Sequence, residues 1–355
     1  MSVQTDMRVL LITNHLDGTD GWSRYGLDLY NELKRRGLEV DCECFDDPMS
    51  YLCDASASKA AALRLQSAVD RFKPDIVHIV VEPLQSLLPF IELPDKVRVV
   101  ATIHGTYSFT PALFRDPMKK IMASLTYWKV AKEIDRFISV SSYTKEKLHE
   151  HWLAKLSGAY GKTVVVDNAI DLSAIRSNDR SHQKRILFVG AIKPRKGIGN
   201  LLKAFDLYAR KYGPDAALDI VGSGDTSSIP IGPSIKVHGR VSDEALDRLY
   251  STAGVFVLLA IPDRKTFEGF GLVYLEANAR GVPTIGSRDS GARDAIVHGK
   301  TGYLVDDPND PEECARYLQM ILDEKAIDPD DCREWAQQHD IKIAAEKIIR
   351  LYQGR

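Results

Sequence analysis

The chain has little cysteine, and none of it is in metal-binding order. Cys42, Cys44, Cys53, Cys314 and Cys332 form no CxxC pair, and the odd count leaves one over. Cys42 and Cys44 alternate on an expected strand, so free or buried thiols are expected and zinc is not. Net charge is also scarce: 47 Lys and Arg against 49 Asp and Glu leave −2. There is thus no global attraction to nucleic acid, and any anion site has to be local. No uninterrupted apolar run reaches the length of a membrane span, and residues 1–7 lack the basic-then-apolar order of a signal peptide. A cytoplasmic protein is the expectation. GxGxxG, GxxxxGK[ST] and HExxH are absent too, which argues against nicotinamide, P-loop and zinc-protease chemistry. Gly222-Ser223-Gly224 is too short for a dinucleotide fingerprint, and the DxD-like Asp328-Pro329-Asp330 falls in a late loop.

What the chain has in quantity is short apolar runs set between helical stretches. Its 355 residues, 44% hydrophobic and 27% charged, describe a soluble globular protein longer than one typical core, hence two domains. Strands are expected at Arg8–Thr13, Glu39–Phe45, Asp75–Val80, Val97–Ile103, Arg136–Val140 and Thr163–Val166. After a polar stretch around 174–184, expected to be the linker, they restart at Arg185–Gly190, Leu218–Val221, Ile235–His238, Val255–Leu259 and Thr284–Gly286. Such runs alternating with helices mean parallel sheets covered on both faces. The expected fold is α/β, with two doubly wound Rossmann-like domains facing one another across a cleft. The domains are placed at 1–180 and 181–338, and 339–355 forms a helix. Ile341, Ala344, Ala345, Ile348, Ile349 and Tyr352 recur there at helical spacing.

Two carboxylates, Glu268 and Glu276, lie eight positions apart with Gly269-Phe270-Gly271 between the first and an apolar run. Gly271 is placed to open a helix whose unpaired N–H groups hold an anion. Gly281-Val282-Pro283 ends it. At about 100° per residue, Glu276 borders the apolar face of that helix. The plain alternatives are an i,i+4 pair of Glu276 with Arg280 and a solvated loop charge at Glu268.

Phe267-Glu268-x7-Glu276, preceded by the run from Phe188 to Arg195-Lys196-Gly197 and followed by Gly281–Ile285 and Gly302–Val305, resembles a known family. It is similar to the retaining glycosyltransferases of the GT-B fold, glycosyltransferase family 4 (glycosyl transferases group 1). The likeness covers nearly the whole chain and is strongest from Arg185 to Val305. It implies a hexosyltransferase moving a sugar from a UDP- or GDP-sugar to a hydroxyl acceptor, in polysaccharide, glycolipid or glycoconjugate biosynthesis. Retention of configuration by front-face attack is implied, the leaving phosphate helping to deprotonate the acceptor. No cofactor or metal is implied, because Arg195, Lys196 and the helix end supply the positive charge. The first domain would serve the acceptor, the second the nucleotide, and the last helix would cross back to the first. A retaining disaccharide phosphorylase of the same fold and a catalytically silent scaffold are the alternatives.

The resemblance also assigns roles. Arg195 and Lys196, after the first strand of the second half, would neutralise the diphosphate as the glycosidic bond breaks. Charge-assisted bonds of that kind are worth roughly 1.5–3 kcal/mol each. A solvated basic turn is the alternative. Phe270, Gly271, Leu272 and Val273 would hold the diphosphate at the helix N-terminus, Glu276 the ribose diol, and Glu268 the sugar hydroxyls. His104 matches the family's strand-end histidine and joins Arg195, Lys196 and Glu268 as catalytic, with a satisfied core histidine as the alternative. Gly21 matches a glycine-rich loop approaching phosphate, and Gly222, Arg240 and Val241 would surround the base. Trp22, Arg24 and Tyr107 would meet the acceptor, which is a saccharide, a glycolipid or a small metabolite. Three positions depart from the family pattern: Asp20 replaces a glycine, Ala191 an arginine, and Ser290-Gly291-Ala292 a Gly-Gly pair.

Residues 114–132 carry Arg115, Lys119, Lys120, Trp128 and Lys129 among Met118, Ile121, Leu125 and Val130. The pattern supports peripheral contact with an anionic membrane, at its inner face. A helix covering the sheet explains the same pattern.

Overall fold

The computed structural model describes residues 7–52, 54–105, 116–175, 184–263 and 266–354. The chain divides into two compact units, 1–169 with 341–355 and 170–340.

In the first unit the apolar runs become β1 (Arg8–Thr13), β2 (Glu39–Cys44), β3 (Ile76–Ile79), β4 (Arg98–Ile103), β5 (Arg136–Ser139) and β6 (Thr163–Val165). They pair in parallel in the order β2-β1-β3-β4-β5-β6. Val9 to Ile12 and Ile76 to Ile79 are buried on both faces, as strands covered by helices on either side must be. Between them run α1 (Gly21–Arg35), α2 (Ala55–Phe72), α3 (Pro117–Glu133), α4 (Ser142–Glu150) and α5 (Trp152–Leu156). The first helix begins at Gly21. The reason is Asp20, whose carboxylate accepts from Trp22 and Ser23 N–H while Ser23 Oγ accepts from Asp20 N–H, a reciprocal cap.

The second unit holds β7 (Arg185–Val189), α6 (Ile198–Lys211), β8 (Ala217–Val221), β9 (Ile235–Gly239), α7 (Asp243–Thr252) and β10 (Val255–Leu258). After these come α8 (Leu272–Ala279), β11 (Thr284–Ser287), α9 (Ala292–Ala295), β12 (Gly302–Val305), α10 (Pro311–Leu322) and α11 (Pro329–Gln337). This sheet is also parallel, in the order β12-β11-β10-β7-β8-β9. Sequence reasoning gives β12 no strand. Its four residues follow a turn directly, and Gly302 leaves too short an apolar run to stand out.

The last helix, α12 (Ile341–Tyr352), buries all six residues of its expected apolar set. It packs in the first unit: Arg36 Nη2 donates to Lys342 O at 2.6 Å and Arg98 Nη1 to Tyr352 O at 3.0 Å. The Tyr352 hydroxyl bonds His78 Nδ1 at 2.6 Å, and His78 Nε2 meets Thr102 Oγ1 at 2.8 Å. His78 is wholly buried, and burial pushes its pKa down to about 3, so it is a neutral link in this chain of bonds. Among the described residues no helix is long and apolar enough to cross a membrane.

Candidate active site

Parallel strands deliver their following loops to one edge of each sheet, the place where such folds bind ligands. In the second unit β7 leads through Gly190 to a tight turn at Pro194–Lys196. Gly197 closes that turn at φ 68°, and a Cβ there would lie 1.8 Å from Leu259 O. Glycine is therefore needed to bring the basic turn against the exit of β10, where Ile261 N–H donates to Arg195 O at 2.9 Å.

Glu268 lies on the loop after β10, its side chain 13% exposed. Lys196 Nζ donates directly to Glu268 Oε2, and Arg195 Nη1 lies 3.7 Å from the same oxygen. Burial alone would raise the Glu268 carboxyl. The Lys196 ammonium, its hydrogen bond and the Arg195 guanidinium together hold it below the usual carboxylate range. The three expected catalytic residues of this unit thus form one charge cluster. Gly291 N–H fixes the loop by donating to Glu268 O at 2.8 Å.

Phe270 is buried 5.9 Å from the His339 ring, and Gly271 caps α8 at φ 89°. A Cβ on Gly271 would sit 2.6 Å from the Tyr274 ring. The first N–H groups of α8, on Leu272 and Val273, have no partner within the helix. One turn on, half-buried Glu276 accepts a hydrogen bond from the Tyr250 hydroxyl at 3.1 Å. Arg280 does not pair with the Glu276 carboxylate. Its Nε bonds Asp247 Oδ1 at 2.7 Å and its Nη1 the Glu276 backbone carbonyl at 2.9 Å.

Gly222 follows β8, and a Cβ there would lie 1.9 Å from Gly190 O, so the loops after β7 and β8 touch backbone to backbone. Arg240 is exposed beyond β9. Val241 lines a cavity of about 390 Å³ with Arg185, His238 and residues of α7. None of Arg195, Lys196, Glu268 and Glu276 lines it.

In the first unit His104 follows β4 directly. Its Nε2 lies 3.0 Å from Val80 O, and a carbonyl only accepts, so Nε2 carries the proton and Nδ1 is the acceptor. Tyr25 packs edge-on against the ring at 5.0 Å. Burial pushes the His104 pKa down to about 4, leaving the ring neutral at pH 7. Gly21 begins α1 with open space around it, half-buried Trp22 follows, and the Arg24 guanidinium lies against Gly18. Tyr107 lies outside the described residues.

Sequence reasoning missed two neighbours of these groups. Glu82, wholly buried after β3, accepts from Gly105 N–H at 3.1 Å. A carboxylate inside the apolar run at Val80-Val81-Glu82-Pro83 was the available signal. Tyr250 gave none, because its meeting with Glu276 depends on how α7 approaches α8.

Residues 19–174 match the family glycosyltransferase family 4, and residues 172–339 match glycosyl transferases group 1. The sulfoquinovosyl transferase SQD2 of Arabidopsis thaliana is 24% identical over 329 residues, which is 85% of this chain and 61% of that protein. The chain spans about three fifths of the length of the first curated relatives it matches. Among solved structures, the sucrose-phosphate synthase of Thermosynechococcus elongatus has a TM-score of 0.79 at 18% identity, over 98% of both chains. Anabaena HepE, in complex with UDP and glucose, scores 0.73 at 14% identity over 98% of this chain and 100% of that one. With its two parallel sheets and both halves matched, the chain belongs to glycosyltransferase family 4, the glycosyl transferases group 1, and has the GT-B fold.

Proposed function

We propose that this protein transfers a sugar from a nucleoside-diphosphate sugar to a hydroxyl acceptor, with retention of configuration and without a metal ion. The observation that carries this reading is the Arg195–Lys196–Glu268 cluster in the same unit as the capped N-terminus of α8. Two cations and a helix end suit a diphosphate, whose charge grows as the glycosidic bond breaks. When the diphosphate takes Arg195 and Lys196, Glu268 is released to accept hydrogen bonds from sugar hydroxyls. Glu276, steadied by Tyr250, accepts from the ribose 2′ and 3′ hydroxyls. Gly222, Arg240 and Val241 form the base side of the donor site. The neutral His104 accepts a hydroxyl hydrogen bond at Nδ1, and the leaving phosphate takes the acceptor proton.

In this reading 1–180 is the acceptor side and 181–338 the donor side. A UDP- or GDP-sugar donor is favoured by the complex of HepE with UDP and glucose and by the matched mycobacterial enzyme named as GDP-mannose-dependent. The name of that mycobacterial enzyme, a phosphatidylinositol monomannoside mannosyltransferase, favours a glycolipid acceptor.

Peripheral membrane contact through 114–132 belongs to the same proposal. Met118, Ile121, Met122 and Leu125 lie exposed on one face of α3, with Lys129 exposed one turn further. That spacing builds an apolar stripe with a basic end.

A thermal-shift panel of UDP, GDP, ADP, TDP and inorganic phosphate tests the donor assignment. A ligand at 100 times its dissociation constant stabilises by about 2.7 kcal/mol. Protection by one nucleoside diphosphate is expected. Protection by none of them, or by phosphate alone, overturns the reading.

A further inference from the structure

The first turn of α1 offers N–H groups of the kind that bind anions, but its own side chain already occupies them. Asp20 Oδ1 accepts from Trp22 N–H at 2.8 Å and Ser23 N–H at 2.9 Å, and Oδ2 accepts from Asn14 Nδ2 at 3.0 Å. Asn14 is buried at the end of β1, so the carboxylate is held from two elements at once. Ser23 Oγ completes the lock by accepting from Asp20 N–H at 3.0 Å.

Asp20 remains exposed, so its charge faces whatever approaches the loop between β1 and α1. A second carboxylate stands three residues earlier. The N–H and hydroxyl of Thr19 both donate to Asp17 and hold it below the usual carboxylate range. Arg24, the cation of the first turn, lays its guanidinium against Gly18. The Asp20 charge also reaches His104, which places this loop and the candidate catalytic histidine in one electrostatic environment.

We propose that Asp20 is a specificity-determining residue that makes the acceptor end of the first unit take uncharged hydroxyl compounds and reject phosphorylated ones. The inference rests on the transferase reading above. A phosphate monoester carries about −1.5 to −2 charges at pH 7. It would meet a fixed carboxylate at the N–H groups that otherwise attract it. A neutral hydroxyl meets no such repulsion and can donate to Oδ2.

Asp20→Ser is the informative variant, because serine caps a helix about as well as aspartate but carries no charge. The readout is nucleotide released from the donor in the presence of glucose, glycerol or myo-inositol, or the phosphate monoester of each. Nucleotide release registers transfer and inhibition alike. Wild-type protein is expected to respond to neutral compounds and to ignore their monoesters at equal concentration. Asp20→Ser is expected to respond to the monoesters at about tenfold lower concentration than wild type, with a lowered melting temperature because buried Asn14 loses its acceptor. A wild-type response to the monoesters at least equal to that to the neutral parents overturns the proposal. So does an Asp20→Ser response to the monoesters that matches wild type. Failure of both proteins to turn over any nucleotide-sugar would instead overturn the transferase reading on which the proposal rests.

Discussion

Lys196 donates directly to the Glu268 carboxylate, which joins a residue of the turn after β7 to one of the loop before α8. The pair has a consequence for both partners. Lys196→Ala removes the nearest cation from the candidate diphosphate site and leaves Glu268 with Arg195 at 3.7 Å. Transfer is expected to fall by roughly 10²–10³ in kcat, the range seen when one transition-state donor is deleted. Steady-state kinetics alongside circular dichroism checks this. Near-normal turnover in a folded variant would refute the role.

The same pair gives a stability signature in acid. The folded pKa of Glu268 lies below its unfolded value. Its contribution is therefore fully present above the unfolded carboxylate range and is lost as pH falls through the folded value. Glu268→Gln is expected to lose stability at pH 7 and to show a shallower loss between about pH 5 and pH 3. Thermal melts across that range decide it. Parallel curves for the two proteins would count against the pairing.

Glu276 and Arg280 are separable. Glu276→Ala is expected to weaken nucleoside-diphosphate binding by about 10-fold or more, the worth of a hydrogen-bonded carboxylate. Arg280→Ala leaves binding within about twofold, because its side chain serves Asp247 and a backbone carbonyl. Tyr250→Phe falls between them. Calorimetric titration with UDP and GDP reads all three, and equal losses in Glu276→Ala and Arg280→Ala would remove the ribose assignment.

His104 and His78 carry pKa values pushed down by burial to about 4 and about 3. The unfolded rings titrate near 6.5, so between pH 6.5 and 4 the unfolded chain binds more protons. Stability is full above that range and falls as pH drops through it. The acid limb of kcat/KM due to His104 is expected near pH 4, with a flat profile from about 5.5 to 7.5. A limb at pH 6.5 that His104→Asn abolishes would show that the ring titrates normally.

For the exposed stripe on α3, replacing Met118, Ile121 and Leu125 with serine is expected to abolish co-sedimentation with anionic vesicles. Removing Lys129 should weaken it about fivefold, near the 1 kcal/mol typical of one basic residue at such a surface. Wild-type protein that stays in the supernatant ends the membrane reading.

Much of this architecture is readable from the residues because parallel strands advertise themselves as apolar runs and helices as periodic ones. β1 and β7 fall within a residue of their expected places, and α12 lies inside its expected span with all six expected apolar residues buried. β12 is not readable, because four residues after a turn carry too little pattern. The basic turn is legible for a related reason: Gly197 is a backbone necessity, and its neighbours Arg195 and Lys196 are conspicuous beside it. What the sequence hides is partnership. Nothing along the chain says that Arg280 chooses Asp247 over Glu276, or that Tyr250 finds Glu276, since both follow from the packing of α7 against α8. Asp20 is visible only as a missing glycine; that it caps α1 with its own charge needs the approach of Asn14.

The return of α12 to the first unit bears on how the protein is made. Tyr352 closes the chain of bonds through His78 to Thr102, and Ile348 and Ile349 fill the same core. A ribosome delivers these residues after everything else in both sheets. The second unit is continuous and can complete its core while synthesis proceeds. The first has every strand early and must wait for its final helix, so during translation the older half of the molecule is the less finished one.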